Sequence, residues 1–174
     1  MSRNTDLLGM NSCLTVLIIE DSPEDYEFTT RALSQSGYIG NCHHAKNGDE
    51  ALDYLKSIET QKQNGEIAEY PSLIFLDLNM PAISGFDILQ SLKNHDDFKR
   101  IPVLVISTSE RKEDVVKSYH LGANSYIHKS VNYQALKESI SLIKSYWLDS
   151  VILPDPHFNA FEKKENPTFF VKAG

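Results

Sequence analysis

The chain has 174 residues, of which 41% are apolar, so it is long enough for one domain with a full hydrophobic core. Its formal charge of -7 argues against a general binder of nucleic-acid phosphates, because such proteins carry clustered positive charge. The sequence contains neither a signal peptide nor an apolar run of the roughly 18 residues that a membrane helix needs, so we expect a cytoplasmic protein without direct contact to nucleic acid or membrane.

Five apolar segments alternate along the chain with five segments of helical spacing. Continuous apolar runs are typical of strands covered on both faces, and the predicted strands are Leu14 to Ile19, the weaker Asn41 to Ala45, Leu73 to Leu76, Val103 to Ile106 and Tyr126-Ile127. The predicted helices run from Ser22 to Gly37, from Ala51 to Ile58, from Phe86 to Leu92, from Val115 to Gly122 and from Tyr133 to Trp147. The alternation predicts an α/β fold, a doubly wound five-stranded parallel sheet with helices on both faces.

Two segments lie outside this alternation. Residues 61–70 are polar and contain Gly65, which predicts a long loop with little packing after the second helix. From Asp149 onward prolines interrupt any helix, and this tail either lies across the domain or a partner or is disordered. We therefore expect an N-terminal lead at 1–13, a domain at 14–148 and a C-terminal extension at 149–174.

Polar residues follow the predicted strands where each one ends. Glu20 and Asp21 follow the first strand, Asp77 the third, Ser107 the fourth and Lys129 the fifth. Because the carboxyl ends of parallel strands share one rim, these side chains are expected to converge there. Clustered carboxylates repel one another and favour a hard cation, and Mg²⁺ suits a few carboxylates with room for water.

Asp77 is expected to be the best exposed of the three acids and to act as a nucleophile toward a phosphoryl group. Lys129 would pair with one phosphoryl oxygen and Ser107 would donate a hydrogen bond to another. Each residue alone has an ordinary explanation, since Glu20-Asp21 suits the N-terminus of the first helix and exposed polar residues are common. Their joint placement at four strand ends is what indicates a site.

These residues resemble the motifs of response-regulator receiver domains. The matching positions are Glu20-Asp21, the segment from Asp77 to Gly85, Ser107, Tyr126 and Lys129. The resemblance covers about Leu14 to Trp147 and implies a flavodoxin-like strand order 2-1-3-4-5. It also implies that Asp77 accepts a phosphoryl group from a histidine kinase, with Asp21, Asp77 and the Asn79 carbonyl holding Mg²⁺ and Glu20 assisting.

The chain departs from the common family pattern after the lysine. Ser130 stands where many receivers have proline, so a trans peptide is expected between Lys129 and Ser130. Together with the 61–70 insertion and the sequence from Tyr146 to Pro154, this departure resembles the small single-domain regulators of cyanobacterial-type phytochrome histidine kinases.

The resemblance also implies how phosphorylation would be read out. Ser107 would move toward the phosphoryl group, and Tyr126, the family's aromatic switch, would fill the space left behind. Apolar residues on the fifth helix exceed what one buried stripe requires, and Leu142 and Tyr146 lie on a second flank. We expect a homodimer through the fourth helix, the fifth strand, the fifth helix and the extension, or else a wide core stripe covered by the tail.

Two other functions remain open. Haloacid-dehalogenase-type phosphatases also use an aspartyl nucleophile with Mg²⁺, but they need a second acid where this chain has Asn79, so we expect no enzymatic turnover. A phosphorylation-independent binding module would keep the fold without the chemistry. The adjacent His43 and His44 would face opposite sides of a strand, and Cys13 and Cys42 form no CxxC pair, so no second metal site is expected.

Overall fold

A computed structural model describes residues 14–154 and contains a five-stranded parallel sheet with strand order β2-β1-β3-β4-β5. The strands are β1 (Thr15–Ile19), β2 (Asn41–Ala45), β3 (Leu73–Leu76), β4 (Val103–Ser107) and β5 (Ser125–His128). The predicted fold and strand order are therefore confirmed. β2 and β3 have the predicted bounds, β1 begins one residue later, and β4 and β5 are slightly longer than predicted.

Five α-helices connect these strands: α1 (Pro23–Gln35), α2 (Gly48–Gln63), α3 (Gly85–Asn94), α4 (Lys112–His120) and α5 (Tyr133–Ile143). α1 begins as its sequence predicts, since the Ser22 hydroxyl accepts a hydrogen bond of 3.2 Å from the Asp25 backbone and proline occupies the first turn. Leu55 of α2 and Leu89 of α3 belong to the core on one face of the sheet. Leu33 of α1 and Ile140 of α5 belong to the core on the other, so both faces of the sheet are covered.

The prediction of a loosely packed loop at residues 61–70 is wrong in two respects. α2 continues to Gln63, and the segment then returns to the core at Ala68 and Tyr70, which are 4% and 7% exposed. The Tyr70 ring lies 6.0 Å from that of Phe98 between ring centres. Burial of the aromatic ring outweighs the polar character of the surrounding residues, and a composition-based prediction does not capture this.

The predicted fifth helix changes its winding at its C-terminal end. α5 ends at Ile143, and residues Lys144–Ser150 form a π-helical segment. Buried positions then move from Ile143 to Leu148, five residues later, while Trp147 is only partly buried. Trp147, the last residue of the predicted helix, packs partly buried against this core, and the wider π turn places Leu148 fully within it.

The expected N-terminal lead at 1–13 and residues 155–174 of the expected extension lie outside the described residues. None of the helices between residues 14 and 154 combines the length and apolar character that crossing a membrane requires. No cis peptide bond occurs in that range, so the trans peptide expected between Lys129 and Ser130 is confirmed.

Candidate phosphoryl-acceptor site

Four of the side chains singled out in the sequence lie together at one rim of the sheet. Glu20 directly follows β1, Asp77 follows β3, Ser107 ends β4 and Lys129 follows β5. The pairing of neighbouring strands aligns these ends, because Ile19 lies opposite Leu76 and Ser107 lies opposite His128. All four polar residues are buried, with relative exposures between 0% and 6%. Parallel strand ends have thus brought together groups that are distant in the sequence.

The Lys129 ammonium lies among three carboxylates. Its Nζ atom is 2.6 Å from Glu20 Oε2, 2.9 Å from Asp77 Oδ2 and 3.0 Å from Asp25 Oδ2. Burial acts to lower the pKa of Lys129, but the charge of Asp77 and the hydrogen bond and charge of Glu20 outweigh it, so the net shift is upward. Lys129 is therefore held as a cation in the acidic rim.

Oxygen atoms of Glu20, Asp21 and Asp77 form an acidic group in which one oxygen from each residue lies within 4.8 Å of the others. Burial raises the pKa of Glu20 from 4.5 to about 7, despite the opposing hydrogen bond and charge of Lys129. Three carboxylates beside one ammonium leave excess negative charge. The donor set fits a hard divalent cation, which would supply the missing positive charge and which prefers oxygen ligands.

The expectation that Asp77 is the best exposed acid is wrong. Asp77 is 6% exposed, whereas Asp21 is only partly buried. The physical reason lies in the loop after β3, which folds back so that the Gly85 backbone N–H donates to the Leu78 carbonyl at 3.2 Å. A Cβ atom on Gly85 would lie 2.2 Å from the Asp77 carbonyl oxygen, so only glycine permits this close approach.

A hydrogen-bond network connects Asp77 to the end of β4. The Asn79 backbone N–H donates to Asp77 Oδ1 at 3.1 Å, and the Asn79 side-chain amide donates to Ser107 Oγ at 3.2 Å. Ser107 Oγ also accepts from the Ser109 backbone N–H at 3.3 Å. The Ser107 hydroxyl oxygen already accepts two hydrogen bonds. Its O–H group is therefore free to donate a hydrogen bond to an anionic oxygen beside it.

Tyr126 adjoins this network from β5. Its hydroxyl donates to the Ser109 carbonyl oxygen at 2.9 Å, and its ring packs partly buried against the core. The Tyr126 backbone N–H donates to the Tyr119 hydroxyl of α4 at 3.2 Å. Tyr126 therefore contacts both the loop after β4 and α4.

Neighbouring histidines outside the rim are placed as predicted. The His43 ring stacks on Tyr54 with 3.9 Å between ring centres, and the His44 ring stacks on Tyr26 with 3.6 Å. Tyr54 belongs to α2 and Tyr26 to α1, which cover opposite faces of the sheet. The two imidazoles therefore point away from each other and do not form a joint ligand pair.

Sequence reasoning did not identify two residues near the rim. Asp25 is one of the acids in the first turn of α1, and its carboxylate contacts Lys129. Ser109 accepts from Tyr126 through its carbonyl, and its hydroxyl donates to Asp114 Oδ2 at 2.6 Å. The position of Asp25 in the first turn of α1, directly after the Glu20-Asp21 pair, was the available signal.

Comparison with known proteins agrees with this geometry. The family model described as the response regulator receiver domain matches residues 16–141. Response regulator Rcp1 of Synechocystis is 36% identical over 139 residues, covering 80% of this chain and 92% of the relative's own length.

Two solved structures are similar over 82% of this chain and 99% of their own chains. One is described as the Mn(2+)-bound form of response regulator Rcp1, with 34% identity and a TM-score of 0.71. The other is described as the phosphorylated cyanobacterial phytochrome response regulator RcpA, with 34% identity and a TM-score of 0.72. The chain thus belongs to the response regulator receiver-domain family, and it is similar to small phytochrome response regulators over most of its length.

Proposed function

We propose that this chain accepts a phosphoryl group on Asp77 from a phosphohistidine of a histidine kinase. The observation that carries the proposal is the joint position of Asp77, Lys129 and Ser107 at the carboxyl ends of β3, β5 and β4. Asp77 Oδ2 lies 2.9 Å from Lys129 Nζ, which is the only ammonium at this rim among the described residues. In the family, such an arrangement performs phosphoryl transfer in the cytoplasm, where we place the protein.

In the proposed reaction, a carboxylate oxygen of Asp77 attacks phosphorus opposite the leaving imidazole. A P–O bond forms as the P–N bond breaks, and the imidazole nitrogen keeps the electron pair of that bond. The Lys129 ammonium balances negative charge on the transferred group, and the Ser107 hydroxyl donates to one of its oxygens. The Lys129 ammonium already lies beside Asp77 before transfer, whereas the Ser107 hydroxyl would move toward the transferred group.

Glu20, Asp21, Asp77 and the backbone carbonyl of Asn79 are the groups that would hold Mg²⁺. When bound, the metal would neutralise charge on the phosphoryl oxygens during transfer. The excess negative charge of the rim supports this assignment, since within residues 14–154 Lys129 is the one cation paired with the acidic group. The relative described as Mn(2+)-bound shows that a divalent ion occurs in a similar protein.

We assign the cognate kinase to the phytochrome class. Support comes from similarity over more than 80% of the chain to a regulator that is described as a cyanobacterial phytochrome response regulator. Residues 14–148 would form the receiver, with 1–13 as a lead and 149–174 as an extension. The buried position of Leu148 supports a domain that reaches at least to that residue.

The output would pass through protein contacts, with a homodimer formed by α4, β5, α5 and the extension. Large apolar side chains are exposed on these elements and on the π-helical segment after α5, at Val116, Tyr119, Leu142, Tyr146 and Ile152, with exposures from 51% to 78%. Water contact with several such side chains is unfavourable, and a second copy would cover them. Movement of Ser107 and Tyr126 on phosphorylation would reach this face through Tyr119, which accepts from the Tyr126 backbone.

Phosphoryl transfer from a purified phytochrome histidine kinase, first labelled on its histidine, tests the proposal. We expect label to move to this chain in Mg²⁺ and to stop at one phosphoryl group per chain. A histidine kinase of another sensor class should transfer more slowly. Continuous release of phosphate from a generic phosphomonoester would identify a phosphatase instead. If no residue of this chain accepts the label, the protein would be a phosphorylation-independent binding module.

A further inference from the structure

A fourth carboxylate contacts the site without belonging to its acidic group. Asp25 lies in the first turn of α1, and its Oδ2 atom is 3.0 Å from Lys129 Nζ. Its side chain is 33% exposed, whereas the side chains of Glu20 and Asp77 are 6% and 7% exposed. Hydrogen bonding of the Asp25 backbone to the Ser22 hydroxyl fixes the helix end that carries it.

Lysine has three N–H donors, and Lys129 has three carboxylate partners. Contact with a phosphoryl oxygen therefore requires Lys129 to release one of them. Asp77 is the partner that changes, because esterification removes the negative charge from its carboxylate and places new anionic oxygens beside it. The N–H group that donates to Asp77 can donate to a phosphoryl oxygen instead, with little movement of Lys129.

The two partners that remain are Glu20 and Asp25. Glu20 also belongs to the acidic group that would face a divalent ion, whereas Asp25 does not. A cation held by Glu20 would withdraw electron density from its carboxylate and so weaken its hydrogen bond to Lys129. Asp25 is thus the one partner of Lys129 whose carboxylate has no second role in the proposed reaction.

We propose that Asp25 is a positioning residue, which holds the Lys129 ammonium in place while Asp77 and Glu20 engage the phosphoryl group and the metal. This inference rests on the proposed phosphoryl acceptance at Asp77 and adds a residue to it. Asp25 acts only through Lys129 and touches neither the phosphoryl group nor the metal. Its loss should therefore weaken the hold on a phosphoryl group while leaving metal affinity unchanged.

The test compares Asp25→Asn with Glu24→Gln. Glu24 is an exposed acid of the same helix turn, so Glu24→Gln makes the same change of charge beside the N-terminus of α1. Each protein is titrated with beryllofluoride, which mimics a phosphoryl group on a carboxylate, in saturating Mg²⁺. We expect Asp25→Asn to bind the mimic about threefold more weakly than Glu24→Gln, as loss of a partly exposed ion pair predicts.

Two further readouts separate positioning from a general structural effect. Mg²⁺ affinity should be the same in Asp25→Asn and Glu24→Gln. The ¹⁵Nζ resonance of Lys129 should shift and its N–H protons should exchange faster with water only in Asp25→Asn. Equal beryllofluoride affinities in the two variants, or a weaker Mg²⁺ site in Asp25→Asn alone, would overturn the assignment.

Binding of beryllofluoride to the wild-type protein distinguishes the role of Asp25 from phosphoryl acceptance at Asp77. Failure of wild type to bind the mimic at all would contradict phosphoryl acceptance at Asp77. Binding by wild type together with identical behaviour of the two variants would reject only the role of Asp25.

Discussion

The Tyr126 hydroxyl donates a hydrogen bond of 2.9 Å to the backbone carbonyl oxygen of Ser109. The Ser109 backbone N–H in turn donates to Ser107 Oγ at 3.3 Å. One peptide segment therefore contacts both residues that were expected to form the switch. Movement of Ser107 would therefore displace the carbonyl that accepts from Tyr126, and this connection supports the proposed switch.

Replacement of Tyr126 by Phe should lower the free energy of unfolding by about 1 kcal/mol, because it deletes the hydrogen bond to Ser109 and keeps the ring. Urea titration measures this change. Tyr133→Phe is the matched control, since the Tyr133 hydroxyl makes an exposed contact of 3.4 Å with Gln35. Equal losses in the two variants would show that the Ser109 hydrogen bond has no special contribution.

Replacement of Lys129 by Met should destabilise the protein by about 3 kcal/mol or more near pH 8, because it leaves the buried Glu20 and Asp77 without their cation. Denaturant unfolding in EDTA measures the loss. Added Mg²⁺ should recover part of it by replacing the missing positive charge.

Lys56→Met provides the control for Lys129→Met. Lys56 pairs with Asp53 at 3.5 Å between exposed side chains, so we expect a change of no more than about 0.5 kcal/mol. A Lys129→Met variant as stable as Lys56→Met would contradict the described ion cluster.

Burial raises the pKa of the Cys42 thiol above its ordinary value. The thiolate fraction of Cys42 at pH 8 is then smaller than that of an exposed cysteine, and alkylation proceeds through the thiolate. In a Cys13→Ser background, iodoacetamide should react on the order of tenfold faster after unfolding than before. The folded rate should keep rising above pH 9, and a plateau below pH 9 would disagree with a raised pKa.

Replacement of Leu142 by Glu should weaken the proposed dimer about tenfold or more, because it places a charge in an apolar interface. Leu142 is 72% exposed on α5, so the monomer itself should stay folded. Sedimentation velocity with phosphorylated protein measures association. Ile67→Glu is the control, since Ile67 is 91% exposed but lies in the connection between α2 and β3. Dimers of equal strength in both variants would place the interface elsewhere.

The strands and the rim could be predicted because two simple rules apply to this chain. Continuous apolar runs such as Leu73–Leu76 are buried on both faces, and parallel strands end at a common edge. Asp77 and Lys129 are 52 residues apart in sequence, but both directly follow strands of this sheet. Their proximity thus followed from strand ends without knowledge of any side-chain contact.

Features set by long-range packing were not predictable in this way. Tyr70 is buried because Phe98, from a distant segment, offers it an apolar surface. Leu148 is buried while Trp147 packs only partly buried against the same core because of the π turn, and helical periodicity alone does not signal such a turn. Asp25 was missed because its partner Lys129 is 104 residues away, while its local position already suited a helix N-terminus.

The exposure of Asp77 shows a second limit of sequence reasoning. A polar residue at a strand end is usually exposed, and this general tendency gave the wrong expectation for Asp77. The backbone of Gly85 approaches the Asp77 backbone carbonyl closely, and the distant Lys129 compensates the charge of the buried Asp77 carboxylate. The contact with Lys129 is not visible in the sequence around Asp77.

Phosphorylation by a small phosphodonor in Mg²⁺, followed by measurement of intact mass, shows whether Asp77 is the phosphoryl acceptor. Wild type is compared with Asp77→Asn and with Asp53→Asn, which changes an exposed aspartate of α2. We expect one phosphoryl group on wild type and on Asp53→Asn and none on Asp77→Asn. An adduct on Asp77→Asn as abundant as that on wild type would contradict this expectation.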